Sequence, residues 1–186
     1  MTTRLPNAPT APRPTGAALG CERVRRTFPG PNGEVVGLTD VSFEVARGEF
    51  VVIHGASGSG KSTLLLTLGG MLRPTSGTVR VESHDLYAAS PRERSAIRAE
   101  TVGFVFQLFH LVPYLTVREN ILAGASGSAD AAVRERADRL IEELALGHRA
   151  AHRPGTLSAG ERQRAALARA LVKNPRVILA DEPTGN

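Results

Sequence analysis

Short apolar segments and helical segments alternate along the chain. Val41, Phe43 and Val45 alternate with polar neighbours, which is the two-residue period of a strand. The unbroken apolar run 50–53 predicts a strand buried on both faces, as in a parallel sheet. Three further apolar strands are predicted at residues 78–81, 102–106 and 177–180. Strands that alternate with helices in this way are typical of an α/β fold.

Helices are predicted where a start signal precedes apolar residues at helical spacing. A glycine-rich turn leads into residues 62–68, and Gly69 or Pro74 ends that helix. Residues 90–93 and 116–119 each place a hydroxyl side chain three positions before a glutamate, which is the capping box of a helix start. Two longer helices are predicted at residues 131–146 and 158–172. The helices between residues 90 and 146 interrupt the sheet, so they predict a separate helical lobe.

Residues 1–20 carry several prolines and no continuous apolar stretch. They lack the apolar segment of a secretory signal peptide, so we predict a disordered proline-rich leader and a cytoplasmic protein. No apolar run in the sequence reaches the roughly 18 residues that a membrane-spanning helix needs. Any role at a membrane therefore requires a partner.

Composition and charge exclude several classes of function. The 186 residues include 41% hydrophobic and 22% charged side chains, which suits a globular domain. Cys21 is the single cysteine, which excludes an internal disulfide framework and a cysteine-rich metal site. The net charge of +5 comes from arginines interleaved with acids, and aromatic residues make up only 4%. Both features argue against nucleic-acid binding.

A glycine-rich turn after the strand at 50–53 matches the phosphate-binding pattern G-x-x-x-x-G-K-[ST]. Its residues are Gly55, Ala56, Ser57, Gly58, Ser59, Gly60, Lys61 and Ser62. Glycines let the backbone wrap closely round a polyphosphate, so that N–H groups and the next helix start face anionic oxygens. In such a loop Lys61 neutralises the β- and γ-phosphates and the Ser62 hydroxyl ligates Mg²⁺. The alternative, a flexible surface turn, does not account for the strand and helix on either side.

Two carboxylates stand at the end of the last predicted strand. Asp181 and Glu182 directly follow residues 177–180, at the strand end where open α/β sheets bind their ligands. Asp181 suits Mg²⁺ binding through a coordinated water, and Glu182 suits orienting and deprotonating a water that attacks a γ-phosphate. Alone, the pair could equally be solvated. Together with the phosphate-binding loop it predicts a site of nucleotide hydrolysis.

The helix predicted at 158–172 begins with a segment that has two interpretations. Ser158 and Glu161 form a capping box, which explains the segment as a purely structural helix start. The same helix N-terminus, exposed behind Ser158, Ala159 and Gly160, could bind an anion. The physics of the sequence leaves both interpretations open.

These motifs, in this order, resemble the ATP-binding subunit of an ABC transporter. Residues 157–161 resemble the LSGGQ signature of that family, and Gln107 stands where its Q-loop glutamine falls. The lipoprotein-release and macrolide-export branch is the one resembled most, through the segments 68–70, 103–107, 157–164 and 179–186. The resemblance extends from about residue 21 to the last residue.

The resemblance implies an incomplete ABC ATPase domain with a P-loop NTPase core. That core has a mainly parallel sheet, a small antiparallel part and an inserted helical lobe at about residues 90–158. Two copies would pair head to tail and enclose two ATP molecules. Each phosphate-binding loop would then face the partner copy's signature residues Ser158, Ala159, Gly160 and Glu161.

The resemblance also assigns roles to single residues. Phe28 stands where family members place the aromatic residue that stacks on adenine, with packing in a small core as the alternative. Thr63 completes the ATP-binding loop. Gln107, Ser62 and Asp181 would be the Mg²⁺ ligands. Gln107 would also contact the attacking water, so that Gln107 and Glu182 are the two catalytic residues. The apolar stretch 108–115 would contact a coupling helix of a membrane-spanning partner, or pack in the core.

The function implied is that of an ATPase subunit, peripheral on the inner face of the plasma membrane. It would couple MgATP hydrolysis to export or lipoprotein-type substrate movement through a separate permease subunit. A nucleotide-dependent structural clamp of the cell-division type is one alternative. A DNA-repair ATPase is another, but it would need coiled-coil arms far longer than the helix at 131–146.

Two departures from the family pattern change these expectations. Ala159 replaces the first glycine of the signature, which predicts reduced but not abolished hydrolysis. All five histidines precede Asp181, so none can be the family's switch histidine. We therefore expect a truncated cassette that binds nucleotide poorly and is itself inactive.

Overall fold

The chain divides into two compact units, Met1–Arg98 and Ala99–Asn186. The computed structural model describes residues 2–4, 16–31, 33–125 and 130–182. Most of the predicted leader, and residues 183–186 of the last family segment, lie outside these ranges. Within the described ranges no helix is both long and apolar enough to cross a membrane.

An antiparallel sheet is the main feature of the first unit. Its strands, in spatial order, are β3 (Gly33–Ala46), β2 (Ala17–Gly30), β5 (Ser76–Val81) and β6 (His84–Asp85). A second, two-stranded antiparallel sheet pairs β1 (Thr2–Arg4) with β4 (Val51–Ile53). The predicted alternation along β3 is confirmed, because Val41, Phe43 and Val45 are half-buried while the residues between them are exposed.

Two helices belong wholly or largely to the first unit. These are α1 (Lys61–Leu68) and α2 (Pro91–Thr101). α1 begins after the glycine-rich turn and buries Leu64, Leu65 and Leu68. After α1 the chain is held by Tyr87, whose buried hydroxyl lies 2.7 Å from Thr67 O and 2.6 Å from Leu72 O. α2 starts with the predicted capping box, since Ser90 N–H donates to the side chain of Glu93 at 2.9 Å.

The second unit joins a parallel strand pair to three helices. The strands are β7 (Val102–Val105) and β8 (Val177–Ala180), and the helices are α3 (Val117–Ala123), α4 (Ala131–Glu143) and α5 (Ala159–Leu171). Parallel strands need a long crossover, which these helices supply. They share one core of buried side chains, formed by Val117, Ile121, Ala125, Ala137, Leu140, Ile141, Leu146, Leu157, Ala165, Ala168 and Val172. Because Val105 pairs with Ala180, the chain leaves both strands at the same end of the pair.

The α/β class is confirmed, but the balance of strand directions differs from the expected one. In the described part of the chain β7 and β8 form the one parallel pair, whereas the largest sheet is antiparallel. The prediction that residues 50–53 are buried on both faces is wrong. Phe50 is 65% exposed and Val52 36% exposed, because β4 pairs with β1 alone among the described strands.

The limits of two predicted segments also differ. Ala17–Gly20, at the end of the predicted leader, belong to β2, because Leu19 is buried between its pairing partners Val45 and Val81. Thr2–Arg4, also in the predicted leader, form β1. α4 ends at Glu143, three residues earlier than predicted, because Ala145 takes a left-handed φ of 52°. The extent of the helical lobe, expected at about residues 90–158, stays a prediction.

Candidate functional site

The glycine-rich turn of the first unit forms an exposed loop between β4 and α1. Ser59 N–H donates to Ala56 O at 3.2 Å. Lys61 Nζ donates to Gly55 O and Ala56 O, both at 3.0 Å. The lysine therefore closes the loop on its own carbonyl groups, while residues 55–59 remain open to solvent.

The start of α1 lacks the acidic groups found at the other helix starts. Its N-cap is Gly60, which supplies no side-chain hydrogen bond, and its first turn contains no acidic residue. The N–H groups of a first helical turn have no acceptor within the helix, and the helix dipole makes this end positive. α2, α3 and α5 instead begin with a glutamate that accepts from the N-cap N–H, namely Glu93, Glu119 and Glu161. The start of α1 is therefore suited to bind an external anion.

β3 lies directly against this loop and brings Phe28 close to it. A Cβ on Gly60 would stand 2.3 Å from Gly37 O, and a Cβ on Gly37 would stand 2.7 Å from Phe28 Cε2 and 3.4 Å from Thr63 Cγ2. The half-buried ring of Phe28 carries the Arg26 guanidinium 4.6 Å from its centroid. The structure thus places Phe28 and Thr63 near the same face of Gly37, beside the loop, with Arg26 stacked on the aromatic ring.

In the second unit, Gln107 contacts Glu182, one of the two predicted carboxylates, beyond the ends of β7 and β8. Asp181 N–H donates to Val105 O at 2.9 Å, which continues the strand pairing by one residue. Gln107 Nε2 donates to Glu182 Oε2 at 2.6 Å. The two predicted catalytic side chains are therefore in direct contact, and both are exposed.

The segment after Gln107 is partly apolar and exposed. Leu108 is 76% exposed and Tyr114 72% exposed. Between them, Phe109 and His110 take left-handed φ values of 59° and 45°. Arg169 of α5 donates to the carbonyl oxygens of both residues. The segment therefore combines an apolar surface with a backbone turn that is held from α5.

The signature segment forms the start of α5, and its capping box is confirmed. Ser158 N–H donates to Glu161 Oε2 at 2.7 Å, and Glu161 N–H donates to Ser158 Oγ at 3.3 Å. Arg149 Nε donates to Glu161 Oε1 at 2.8 Å. Hydrogen bonds from the Ser158 backbone and from Arg149 lower the pKa of Glu161 from 4.5 to about 2. Ser158 and Ala159 are exposed, whereas Glu161 is only 8% exposed. The Glu161 carboxylate therefore caps the helix start as a buried side chain.

Three arginines at these places were not found by sequence reasoning. Arg26 stacks on Phe28, Arg149 pairs with Glu161, and Arg169 holds the segment after Gln107. Arg149 and Arg169 act on groups that are distant along the chain, so neither period nor spacing marks them. Arg26 lies two residues before Phe28 on β2, so the two-residue period of a strand could have indicated that contact.

Comparison with known proteins identifies the family of the chain. The sequence pattern of the ABC transporter family matches residues 38–185. Macrolide export ATP-binding/permease protein MacB 1/2 of Paracoccus denitrificans is 47% identical over 174 residues, which cover 92% of this chain and 26% of that protein. Lipoprotein-releasing system ATP-binding protein LolD 1 of Rhodopirellula baltica is 46% identical over 170 residues, which cover 90% of this chain and 74% of that protein.

A solved structure shows the same fold. It is the dimeric post-hydrolysis state of the ATP-binding cassette MJ0796 bound to ADP and Pi, 37% identical with a TM-score of 0.81. The match covers 89% of this chain and 74% of the cassette. The chain thus spans 26% of the length of the MacB relative and about three quarters of the other two proteins. Because the family pattern and these relatives cover most of its residues, the chain belongs to the ABC transporter family.

Proposed function

We propose that the chain is the ATP-binding part of an ABC transporter that hydrolyses MgATP to drive substrate movement through a membrane-spanning partner. The observation that carries this proposal is the phosphate-binding loop. Lys61 closes it, and the helix that follows has neither a capping side chain nor an acid in its first turn. The export and lipoprotein-release relatives support the assignment to transport.

The first unit would bind the nucleotide. The N–H groups of residues 57–63 and the positive end of α1 would hold the β- and γ-phosphates. Lys61 Nζ would exchange its two carbonyl acceptors for phosphate oxygens, which form stronger, charge-assisted hydrogen bonds. Phe28, placed beside Thr63, would stack on adenine, with Arg26 next to the base.

The residues after β7 and β8 would carry out the hydrolysis. Glu182 would orient a water molecule and accept its proton as the water oxygen attacks the γ-phosphorus and the bond to ADP breaks. The Gln107 amide would hold the Glu182 carboxylate in place, as their 2.6 Å hydrogen bond allows.

A magnesium ion belongs to the same proposal. Mg²⁺ would offset the negative charge of the phosphates, with Ser62, Gln107 and Asp181 as its ligands. Across the described residues no group of three or more His, Cys, Asp or Glu stands close enough to hold a metal ion. Mg²⁺ at nucleotide sites typically uses one or two carboxylates together with substrate phosphates, so such a group is not needed.

Two contacts with other chains belong to the same proposal. A second copy would present its exposed residues Ser158 and Ala159 to the bound nucleotide, in a head-to-tail dimer on the inner face of the plasma membrane. The membrane-spanning partner would cover the apolar surface around Leu108 and Tyr114, which are 76% and 72% exposed. The names of the relatives favour transport over the cell-division clamp.

The test is MgATP binding by the purified full-length protein, measured by calorimetry. Lys61→Ala should weaken binding about tenfold or more, because it removes hydrogen bonds between a charged donor and phosphate. Lys173, the other lysine of the sequence, is the control, and Lys173→Ala should change affinity by no more than about twofold. Glu182→Gln should keep the affinity and slow hydrolysis at least about a hundredfold. Identical results for Lys61→Ala and the unmodified protein, with no affinity in either, would refute the proposal.

A further inference from the structure

The loop that follows Gln107 adopts a backbone conformation that needs support from outside. Phe109 and His110 have φ values of 59° and 45°. In this left-handed region Cβ crowds the carbonyl oxygen, and residues other than glycine normally enter it one at a time. Bonds within the loop run from Phe109 N–H to Phe106 O at 2.9 Å and from His110 N–H to Leu108 O at 2.6 Å. These bonds use the N–H groups of the two residues, so the carbonyl oxygens of Phe109 and His110 need hydrogen-bond donors from elsewhere.

Arg169 provides that support from the last turn of α5. Its Nη2 donates to Phe109 O and its Nη1 donates to His110 O, both at 2.6 Å. Among the described residues no carboxylate forms an ion pair with this guanidinium. Loss of hydration on burial lowers the pKa of Arg169. The two carbonyl oxygens therefore solvate the Arg169 guanidinium in place of water and of a carboxylate.

The backbone of Arg169 is itself fixed. Gly124, at the end of α3, approaches so closely that a Cβ there would stand 2.2 Å from Arg169 O and 2.9 Å from Arg169 Cγ. The stem of the side chain is thus confined between α3 and α5. The guanidinium is therefore held by a side chain whose first carbons are fixed by packing, unlike that of an exposed arginine.

The loop is held at its other end by the catalytic residues. Gln107 contacts Glu182 at 2.6 Å, and the ring of His110 packs edge-on against Phe106 at 5.1 Å between centroids. A short segment, 106–110, therefore connects the Gln107–Glu182 contact to Arg169. α5 is a continuous helix from Ala159 to Leu171, so Arg169 and the signature segment at its start move together.

We propose that Arg169 is a positioning residue that ties the Gln107 loop to the helix carrying the signature segment. Displacement of α5 is then transmitted to Gln107 through two hydrogen bonds. The role in hydrolysis rests on the proposed function, whereas the tie itself is a property of the second unit alone. A purely structural arginine would stabilise the whole unit without any special effect on this loop.

The test compares Arg169→Met with Arg136→Met. Arg136 is also half-buried, and it donates to Leu171 O at 3.2 Å near the end of the same helix. None of its bonds in the described structure reaches the Gln107 loop. The first measurement is hydrogen–deuterium exchange without nucleotide, on peptides covering residues 106–112 and residues 117–123.

Arg169→Met should raise exchange at residues 106–112 about tenfold or more, because two hydrogen bonds to a charged donor are lost. Exchange at residues 117–123 should change much less, and Arg136→Met should leave the loop as in the unmodified protein. Arg169→Lys keeps the charge but replaces the planar fork with one ammonium group. Arg169→Lys should give an intermediate rise in hydrogen–deuterium exchange at residues 106–112. It replaces Arg169→Met as the test variant if Arg169→Met does not fold.

The second measurement is the steady-state kinetics of ATP hydrolysis by the full-length protein. Arg169→Met should lower kcat about tenfold or more and change KM much less, because it displaces Gln107 rather than the phosphate-binding loop. Unchanged exchange at residues 106–112 in the Arg169 variants, or an equal rise in Arg136→Met, overturns the proposal. Failure of the unmodified protein to bind MgATP refutes the proposed function instead, and the exchange result still stands because it needs no nucleotide.

Discussion

Replacing Gly60 with alanine tests how closely β3 approaches the phosphate-binding loop. Gly60 has a φ of 90°, and a Cβ on it would stand 2.3 Å from Gly37 O and 3.3 Å from Leu38 Cδ2. A backbone oxygen cannot rotate away, so the loop or the strand must shift. Gly58 is the matched control, because it has a φ of 78° and no atom within 4 Å of the added Cβ.

The two substitutions differ by one energy contribution. Both place alanine in the left-handed region, which costs about 1–2 kcal/mol of unfolding free energy. Gly60→Ala adds the cost of overpacking against Gly37, about 1–3 kcal/mol. We therefore expect a loss of about 1–2 kcal/mol for Gly58→Ala and about 2–5 kcal/mol for Gly60→Ala.

The assay is urea unfolding monitored by far-ultraviolet circular dichroism. The midpoints of the two variants are compared with the same m-value, which is the slope of unfolding free energy against urea concentration. Gly60→Ala should unfold at clearly lower urea than Gly58→Ala. It should also bind MgATP more weakly than Gly58→Ala, because the shift moves the first N–H groups of α1. Equal unfolding midpoints for the two variants would refute the close approach of the strand and the loop.

Three further substitutions have expected outcomes. Glu161→Gln should lower the free energy of unfolding at neutral pH, and its difference from the unmodified protein should shrink as pH falls from 4.5 towards 2. The Glu161 carboxylate is protonated near pH 4.5 in the unfolded chain but, because its pKa is lowered, only near pH 2 in the folded protein, so its stabilising effect is lost between these values. Urea unfolding at several pH values measures this, and a constant difference would contradict it. Tyr87→Phe should lower the free energy of unfolding, measured with urea, by about 1–3 kcal/mol, because it removes a buried hydroxyl within hydrogen-bond distance of two carbonyl oxygens. A loss near zero would show that water replaces the hydroxyl. Ala159→Gly should raise the steady-state rate of ATP hydrolysis by removing a methyl group from the exposed start of α5, and a flat rate would remove any role for that methyl group.

The helix starts could be predicted from the sequence because their signals are local. Ser90 with Glu93, Thr116 with Glu119 and Ser158 with Glu161 form capping boxes in the structure. In each case the donor and the acceptor lie three residues apart, so the chain needs no tertiary contact to bring them together. For the same reason the loop at 55–62 could be placed directly before a helix.

Features that depend on distant parts of the chain could not be predicted. The burial of β4 depends on which strands pair with it, and an apolar run such as 50–53 does not contain that information. The second half of β3 was predicted, but β2 and the turn of the hairpin could not be, because Pro29 and neighbouring glycines interrupt the apolar pattern there. Arg149 and Arg169 act over long separations, on a carboxylate and on carbonyl groups. Gln107 and Glu182 could be assigned to one site from the family resemblance, whereas their direct hydrogen bond depends on the pairing of β7 with β8.

The capping of α5 has a consequence for assembly. Glu161 already offers a negative charge to the amide of Ser158, so the positive end of this helix is partly neutralised before any other molecule arrives. A phosphate group from outside would compete with an anion that is covalently attached and never diffuses away. Association through this helix end would therefore be weaker, and faster to reverse, than in a protein with an uncharged side chain at that position.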